Sequence, residues 1–532
     1  MGTPPMQQAV ELRGKAASQG IFTGPVVALG DTSVVFRKAG NPTIERAALN
    51  AAIATAVAAI RSLATDNTGD SADILEFQIA MLEDPELRDR ALAAIARGSS
   101  ATAAWWDALE REVSVYANSS EDAFSARAAD LRDIRDRVLR ALSGEARTYP
   151  ERGCILLGDD LPPSLFLETD WSQGGAIALR QGSTSSHVAM LARSRSVPMV
   201  IGLGPDWPEN CKFAIVDGTA GLVLAAPPPE LIAAYAARSV AETASRDADG
   251  EFLLRPARLQ DGRHMDVLVN IVSVEELAQI QPQSCDGIGL VRSEFLFRDG
   301  AALPNEEEQY LVYRAMLEWS GDRPVTVRTL DVGGDKPLRG LTTDDGGVLG
   351  LRGVSLSLQR PDVFCIQLRA LARAAVHGNL KIMLPMVSVV QELEQSVQLL
   401  ESCVMNLQAE GTACAKPPLG IMVEVPAVAI APEIFAAAAF FSIGTNDLTQ
   451  FIMARSRAEV DVPDTVEAVH PALFRLIANV ARCGKDNGIP VSLCGELAGN
   501  AKYLKQVVAA GITSLSVPPN ALARVKATLA RI

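Results

Sequence analysis

The stretch Gly182-Ser-Thr-Ser-Ser-His187-Val-Ala-Met-Leu-Ala-Arg193 governs how the rest of the chain is interpreted. Small polar residues lead into an apolar run, which predicts a helix that begins near His187 and is capped by Ser185 or Ser186. The N–H groups and partial positive charge at a helix N-terminus favour a phosphoryl group. An imidazole with a reference pKa of about 6.5 is mostly neutral at pH 7 and can act as a nucleophile. An ordinary capped helix start has the same residues, so this stretch alone leaves both interpretations open.

Length, charge and cysteine usage restrict the class of protein. A chain of 532 residues is longer than one hydrophobic core supports, so we expect two to four domains. The net charge of -14 argues against nucleic acid as a partner and favours a basic protein partner. The 8 cysteines form no C-x-x-C pair, which is typical of reduced thiols in the cytoplasm. The N-terminus has no signal-peptide pattern, and the most apolar run, Ala51 to Ile60, is too short to span a bilayer. We therefore expect a cytoplasmic protein without membrane insertion.

The sequence pattern in the first part of the chain changes from strand-like to helical and back to strand-like. Residues 14–30 predict one or two strands with a turn at Gly24-Pro25. Helical periodicity then dominates residues 31–145, and its segments run from Ile44 to Leu63, Asp73 to Ala80, Ala101 to Tyr116 and Ser119 to Gly144. Apolar strand-like runs return from Cys154, Ala176, Pro198 and Ala214. These patterns predict a small α/β domain, residues 9–30 and 146–226, interrupted by a helical insert, residues 31–145, and followed by a linker helix within residues 227–258.

Beyond residue 259 short apolar runs alternate with helical patterns. There are eight such runs, and they begin at Met265, Asp286, Val325, Lys381, Leu419, Phe440, Pro490 and Ser514. Each is continuously apolar rather than alternating, as expected for parallel strands covered on both faces. Eight β/α units over residues 259–532 predict a (β/α)8 TIM barrel, and the whole chain is therefore predicted to be a multidomain α/β protein.

Charged and nucleophilic residues stand at the carboxyl ends of the predicted barrel strands, where barrel enzymes build their active sites. They are Arg292, Arg328, Glu424, Asn446, Asp447, and Cys494 with Glu496. Paired carboxylates suit Mg²⁺, and arginine side chains suit phosphate oxygens. Lys336, in the Gly-Gly-Asp-Lys turn that follows Arg328, could place an ammonium group on the same phosphate. Salt bridges that merely hold the loops of the barrel mouth remain the alternative.

These motifs, in this order, resemble the PEP-utilising enzymes, and among them the Enzyme I family of the bacterial phosphoenolpyruvate-dependent phosphotransferase system. The resemblance covers nearly the whole chain. The matching stretches are STSSHVAMLAR, GIGLVRSEFLFRD, VRTLDVGGDKPL, IMLPMVSV, IMVEVPA, FFSIGTNDLTQF and CGELAG. AMLEDPEL and ARAADLRDIRDRVLRAL in the helical insert resemble the partner-binding helices of that family.

The resemblance implies a role for each of these residues. His187 is implied to be the phosphorylated histidine, so the small α/β domain would be a phosphohistidine domain. The implied phosphoryl-binding cations are Arg292, Arg328, Arg457, Lys336 and Arg352. Glu424 and Asp447 would bind Mg²⁺, Asn446 would hold the substrate carboxylate, and Cys494 would protonate the enolate to give pyruvate. A thiol with a reference pKa near 8.5 is mainly protonated at pH 7, as a proton donor must be.

The resemblance also implies partners. His187 would receive the phosphoryl group of phosphoenolpyruvate and pass it to a histidine of the phosphocarrier protein HPr, the first step of sugar uptake by that system. A histidine that must meet two partners explains a small domain on a linker helix. The acidic residues Glu83, Asp84 and Glu86 of the insert are the expected dock for a basic carrier. The family forms homodimers through the barrel.

Two alternatives stay open at this point. One is a catalytically weak regulatory protein of the same fold, and the other is a nucleotide-dependent dikinase relative. Ser183 and Thr184 stand where the family usually has a second glycine and an arginine before the histidine. The chain also ends at Ile532, shortly after the eighth predicted strand, where the family often has another helix.

Overall fold

The computed structural model describes residues 9–29, 39–65, 70–117, 122–144, 149–184, 186–208, 211–297, 303–333, 338, 341, 349–454 and 469–532. Contacts within the chain divide it into two compact units, Met1–Ala244 and Ser245–Ile532.

The first unit contains an eight-stranded sheet. Its strands are β1 (Val10–Arg13), β2 (Lys15–Ser18), β3 (Ile21–Ala28), β4 (Ile155–Gly158), β5 (Ala176–Leu179), β6 (Met199–Ile201), β7 (Phe213–Asp217) and β8 (Leu222–Ala225). Their order across the sheet is β1-β8-β7-β3-β4-β5-β6-β2. Strands β3 to β6 are parallel to one another, whereas β1, β8 and β7 extend the sheet beyond β3 by antiparallel pairing. The expected α/β fold of this region is therefore confirmed.

The turn predicted at Gly24-Pro25 is wrong, because both residues lie inside strand β3. The first half of β3, Ile21 to Pro25, pairs with the antiparallel strand β7, and the second half pairs with the parallel strand β4. Proline has no N–H to donate, and the next residue, Val26, donates its backbone N–H to the carbonyl of Lys212 instead. Residues 14–30 form two strands, β2 and β3, as the sequence predicted, whereas β1 and β8 were not predicted.

Five helices separate β3 from β4. They are α1 (Pro42–Thr65), α2 (Asp70–Glu83), α3 (Pro85–Ala96), α4 (Ala101–Ala117) and α5 (Asp122–Ser143). The predicted helical insert contains α1, α2, α4 and α5, while α3 was missed. Helix α3 begins at a proline, and the Asp84 side chain accepts a hydrogen bond from Glu86 N at 2.8 Å as its N-cap. The start of the last predicted segment, at Ser119 and Ser120, lies outside the described residues.

Helix α1 is longer than the apolar run from which it was predicted. Among the described residues it is long and apolar enough, by length and composition alone, to cross a membrane. Its buried residues Leu49, Ile53, Val57 and Ile60 nevertheless recur at helical spacing and belong to the same hydrophobic core as Trp105 of α4. This helix therefore packs its apolar stripe against neighbouring helices of the insert.

Three further helices complete the first unit and lead out of it. They are α6 (Pro163–Glu168), α7 (His187–Ser194) and α8 (Pro229–Gly250). Helix α7 lies between the parallel strands β5 and β6 and buries Val188, Ala189, Leu191 and Ala192. Helix α8 covers the residues for which a linker helix was predicted, and the boundary between the two units falls within it.

The second unit is a closed barrel of eight parallel strands. The strands are β9 (Asp266–Ile271), β10 (Ile288–Arg292), β11 (Val325–Arg328), β12 (Leu380–Leu384), β13 (Leu419–Val423), β14 (Phe441–Gly444), β15 (Val491–Cys494) and β16 (Ser514–Val517). Each of the eight apolar runs forms one strand of the barrel, so the predicted (β/α)8 architecture is confirmed. The continuous apolar character of the runs reflects burial on both strand faces.

The helices of the second unit connect these strands. They are α9 (Glu306–Ser320), α10 (Gly353–Gln359), α11 (Pro361–Ala374), α12 (Val390–Ala409), α13 (Pro426–Ile430), α14 (Thr445–Met453), α15 (Pro471–Asn487), α16 (Glu496–Gly499), α17 (Leu504–Ala509) and α18 (Leu522–Leu529). Helix α18 follows the eighth strand and buries Leu522, Val525 and Leu529 in the barrel core. The eighth β/α unit therefore ends in a packed helix.

Helix α12 offers a matched pair of substitutions that tests the barrel core. Leu400 is 0% exposed and Met405 is 60% exposed on the same helix. We expect Leu400→Ala to lower the free energy of unfolding by about 2–5 kcal/mol, because it leaves a cavity where α12 packs into the core of the second unit. Met405→Ala should change it by less than about 0.5 kcal/mol. Calorimetric unfolding of the two variants checks this, and equal destabilisation by both would contradict the packing described here.

Candidate active site

His187 is the first residue of helix α7, as predicted from the sequence. The helix follows strand β5 through a short connection, and the hydroxyl oxygen of Ser186 accepts a hydrogen bond from Ala189 N at 3.2 Å as the N-cap. Ser185, the other predicted cap, lies outside the described residues. Arg193, at the end of the same stretch, donates to the carbonyl oxygens of Ala17 and Thr184 at 3.0 and 2.9 Å. The imidazole is thus held at a capped helix start.

A buried carboxylate of the helical insert contacts the imidazole. The Nδ1 atom of His187 lies 3.0 Å from Oδ2 and 3.3 Å from Oδ1 of Asp130, which is on helix α5. The side chain of Asp130 is 1% exposed and that of His187 is 28% exposed. Burial raises the pKa of Asp130, and the hydrogen bond and charge of His187 act in the opposite direction. The sequence analysis did not identify Asp130.

Two more aspartates are buried near this pair. Asp133, one turn along α5, accepts hydrogen bonds from the Ser164 hydroxyl at 2.7 Å, the Ser164 backbone N at 3.0 Å and Gln78 Nε2 at 3.2 Å. Burial raises the pKa of Asp160, whose Oδ1 accepts from the N–H of Leu161. The charges of Asp133 and Asp160 both disfavour ionisation of Asp130. The histidine therefore faces an acidic pocket assembled from the insert and the loop before α6.

In the barrel, carboxylates that were not predicted from the sequence join Arg328 to Arg352, which precedes helix α10. Arg328, at the end of β11, lies 3.0 Å from Glu294 Oε1 and 3.2 Å from Asp331 Oδ2. Asp331 also accepts two parallel hydrogen bonds from Arg352, each 2.9 Å long. Asp331 has no exposed surface, and Arg328 and Arg352 are buried. Burial alone would lower the pKa of Arg328, but Glu294, Asp331 and Glu424 outweigh it and raise the pKa.

The two carboxylates predicted as metal ligands lie within the same network. Glu424 follows β13, is buried, and accepts a hydrogen bond from Met386 N at 2.8 Å. Asp447, at the start of α14, has its Oδ1 3.5 Å from Arg352 Nη1. Burial raises the pKa of Glu424, and the negative charges of Asp331 and Asp447 raise it further while Arg328 opposes them. The structure therefore brings Glu424, Asp447, Arg328 and Arg352 together.

Cys494 and Asn446 occupy adjacent strand ends. Cys494, at the end of β15, is buried and receives a hydrogen bond from the Ser442 hydroxyl, with the two atoms 3.4 Å apart. Its thiol donates to the Ile443 carbonyl at 3.4 Å. Burial raises the pKa of Cys494 to about 11. Asn446 Oδ1 accepts from Glu496 N at 2.9 Å, across the turn that begins at Gly495.

Of the three remaining predicted phosphoryl-binding residues, the structure describes only Arg292. Arg292 is exposed at the end of β10, beside buried Ser293. Lys336 and Arg457 lie outside the described residues.

Among the described residues, a group of three side chains that could hold a metal ion consists of His264, Asp266 and Asp286, whose ligand atoms lie within 4.8 Å of one another. His264 and Asp266 stand at the start of β9 and Asp286 just before β10, which is the end of the barrel opposite to the predicted ligands Glu424 and Asp447.

The acidic residues predicted as a docking surface all have local partners. Glu83 forms an ion pair with Arg61 at 2.6 Å, Asp84 caps α3, and Glu86 pairs with Arg90 one turn later. The Glu83 and Glu86 side chains remain exposed. These acids therefore remain on the surface of the insert even though each has a local partner.

The fold and these two sites define a class, namely a two-unit enzyme in which an α/β unit bears a histidine at a helix start and a (β/α)8 barrel bears arginines and carboxylates at its strand ends. Three domains of one family match the chain. The N-terminal domain matches residues 13–127, the mobile domain residues 150–221, and the PEP-binding domain residues 246–532. The chain belongs to the PEP-utilising enzyme family.

Named relatives agree with this family. A multiphosphoryl transfer protein of Xanthomonas campestris pv. campestris is 36% identical over 99% of this chain and 64% of its own length. A multiphosphoryl transfer protein of Rhodobacter capsulatus is 35% identical over 84% of this chain and 54% of its own length. The chain thus spans between about half and two thirds of these two relatives. A phosphoenolpyruvate-protein phosphotransferase of Geobacillus stearothermophilus is 33% identical over 98% of this chain and 93% of its own length.

The bridging carboxylate of the barrel mouth should be important for stability. We expect Asp331→Asn to lower the free energy of unfolding by about 3–5 kcal/mol, because it leaves the buried guanidinium groups of Arg328 and Arg352 without their shared counter-charge. Asp362→Asn, which breaks an exposed pair with Arg360, is the control and should leave the unfolding temperature unchanged. Calorimetry on both variants makes the comparison. A wild-type unfolding temperature for Asp331→Asn would show that the network does not hold the barrel mouth.

The environment of Cys494 predicts an unreactive thiol. With its pKa raised to about 11, only about one molecule in a thousand carries the thiolate at pH 8. We expect iodoacetamide to modify half-buried Cys414 well before Cys494 in the folded protein, and both at similar rates in urea. Peptide mass spectrometry over a time course measures this. Early modification of Cys494 at pH 8 would contradict the burial that we assign to it.

Proposed function

We propose that this protein transfers the phosphoryl group of phosphoenolpyruvate to His187 and from there to a histidine of the phosphocarrier protein HPr, releasing pyruvate. The single observation that carries the proposal is the cluster of Glu424 and Asp447 with the buried guanidinium groups of Arg328, at the end of β11, and Arg352, just before α10. The family to which the chain belongs and the name of the Geobacillus stearothermophilus relative support the same reaction.

The barrel residues provide positioning and charge rather than covalent chemistry. Phosphoryl transfer proceeds through a loose transition state that needs aligned reactants and neutralised oxygens. In the proposal Arg292 and Arg328 hold the phosphoryl group together with Arg352, Lys336 and Arg457, and Asn446 holds the substrate carboxylate. The bidentate pair with Asp331 fixes the guanidinium plane of Arg352, so its orientation is set before substrate arrives.

Cys494 is proposed to protonate the methylene carbon of the enolate. A proton donor has to carry its proton at working pH, and burial keeps the thiol protonated well above pH 7. The hydrogen bond from Ser442 and the donation to the Ile443 carbonyl orient the thiol.

Glu424 and Asp447 are proposed to hold Mg²⁺. Two carboxylates are the hard oxygen ligands that this ion takes. Burial, and then the charges of Asp331 and Asp447, raise the pKa of Glu424, and a bound cation would favour its ionised form. Gly444 leaves room beside the carboxylate, since a Cβ atom there would lie 3.1 Å from Glu424 Oε2. When bound, the ion would neutralise charge on the phosphoryl and enolate oxygens.

The carrier is proposed to dock on the acidic surface formed by Glu83, Asp84 and Glu86. The exposed side chains of Glu83 and Glu86, and the net charge of -14, suit a basic partner. We further propose a homodimer formed through the barrel, a cytoplasmic location and a role in the first step of sugar uptake by the phosphotransferase system.

Labelling with ³²P-phosphoenolpyruvate tests the reaction. The full chain with Mg²⁺ should release pyruvate and gain an acid-labile, base-stable label, which is the behaviour of a phosphohistidine. His187→Ala should abolish the label, whereas His377→Ala, on the outside of the barrel, should retain it. Glu424→Gln should slow exchange between phosphoenolpyruvate and pyruvate by about 10²–10³, the effect of losing one charge-stabilising contact.

The same experiment separates the alternatives. Label in His187→Ala would overturn the assignment of the nucleophile. Absence of both label and exchange in the wild-type protein would favour a regulatory binding protein of the same fold. Labelling that requires ATP would indicate a dikinase reaction.

A further inference from the structure

Asp130 lies in a different part of the fold from the histidine that it contacts. It is on helix α5 of the insert, whereas His187 opens helix α7 between strands of the sheet. Both oxygens of Asp130 lie within 3.3 Å of Nδ1, and the carboxylate is almost completely buried. The inference drawn below rests on the proposed phosphorylation of His187.

The contact determines where the imidazole carries its proton. An ionised carboxylate only accepts hydrogen bonds, so the Nδ1 atom that faces it has to be the donor. The lone pair of the neutral ring is then on Nε2, the nitrogen on the opposite side of the ring. Burial and the charges of Asp133 and Asp160 oppose ionisation of Asp130, while His187 favours it. The Nδ1–H group is therefore the contact that favours the ionised carboxylate against its surroundings.

The position of Asp130 is itself fixed by its neighbours. Asp133 lies three residues further along α5, on the same helix face. Its two oxygens receive hydrogen bonds from Ser164 at the start of α6 and from Gln78 of α2. Helix α5 is thereby joined to both elements, and its adjacent turn presents Asp130 to the imidazole. The helical insert thus provides structural support to the histidine.

We propose that Asp130 is a positioning residue that holds His187 in the Nδ1–H tautomer, so that Nε2 is the atom that is phosphorylated. The Nε2 lone pair forms the N–P bond while the P–O bond to the enolate oxygen breaks, and that electron pair leaves with the enolate. The Nδ1 proton stays in its hydrogen bond to Asp130. The product ring is a phosphorylated imidazolium, and its positive charge faces the carboxylate. Passing the phosphoryl group onward then releases a neutral imidazole, which is a good leaving group.

The test reads the tautomer directly. The chain, labelled with ¹⁵N-histidine, has only 4 histidines, so single substitutions assign the ring signals. At a pH where the ring is neutral, His187 should show the Nδ1–H tautomer in the wild-type protein. In Asp130→Asn the amide can instead donate to Nδ1, so the population should shift to Nε2–H. Asp136→Asn, which changes a partly buried carboxylate that is paired with Arg135 and lies six residues further along α5, should keep the wild-type tautomer.

A kinetic measurement accompanies the spectrum. Labelling of Asp130→Asn by phosphoenolpyruvate should be slower by about 10- to 100-fold, by analogy with the loss of carboxylates that orient metal-bound imidazoles through their second nitrogen. Asp136→Asn should be labelled at the wild-type rate. Thermal unfolding shows whether each variant is folded, and the tautomer can be read without substrate.

The outcomes distinguish this inference from the proposed function. A wild-type protein that is labelled on His187, with an Asp130→Asn variant that keeps both tautomer and rate, would overturn the inference and leave the function intact. An Nε2–H tautomer in the wild-type protein would also overturn it. A wild-type protein that takes no label would refute the function, while the tautomer shift would still establish the role of Asp130 in orienting the ring.

Discussion

The barrel mouth depends on one ion-pair network, in which the carboxylate of Asp331 bridges the guanidinium groups of Arg328 and Arg352. All three side chains are buried, so their charges are expensive to desolvate unless each is paired. Glu294 contributes further, since Oε1 accepts from both Arg328 and the backbone N–H of Asp331. These contacts fix the orientation of the arginines before any substrate binds. Phosphoryl transfer requires positive groups that are already oriented toward the charge of the transition state. Closure of the barrel makes the network possible, because it brings strand ends far apart in sequence to one rim.

The first unit also pairs a buried carboxylate with a side chain of the candidate site, but here that side chain is the imidazole of His187. Asp130 faces an imidazole rather than a guanidinium group, and it too is a buried carboxylate that is stabilised by the group it orients. The pairs differ in exposure, because the arginines are buried whereas the imidazole is partly exposed. A group that only holds charge in place can be enclosed, but a nucleophile that gives its phosphoryl group to another protein needs an open side. The exposure of each pair therefore suits the role that we propose for it.

The sequence predicted the architecture better than the contacts within the sites. The eight apolar runs identified the barrel strands, because a strand buried on both faces is apolar throughout. Gly24-Pro25 was misread as a turn, since local composition could not reveal that β3 changes partner at this point. Glu294 and Asp331 follow Arg292 and Arg328 by only two and three residues, so charge spacing could have identified them. Asp130 could not be assigned in this way, because its partner is 57 residues away and only the packing of α5 brings the two together.

The backbone around the barrel mouth shows that holding Glu424 requires strain. Met386 has a φ of 58°, a left-handed conformation that a residue with a side chain seldom adopts. Its N–H is thereby directed to Glu424 Oε1. Gly353 also has a positive φ, and a Cβ atom there would lie 2.8 Å from the Cβ of Met386, so no larger residue fits. A buried carboxylate with a raised pKa and a strained backbone donor would destabilise a barrel that had only to fold. Their presence at this rim of the barrel favours the cation and substrate binding that we propose over loop stabilisation, the alternative left open by the sequence.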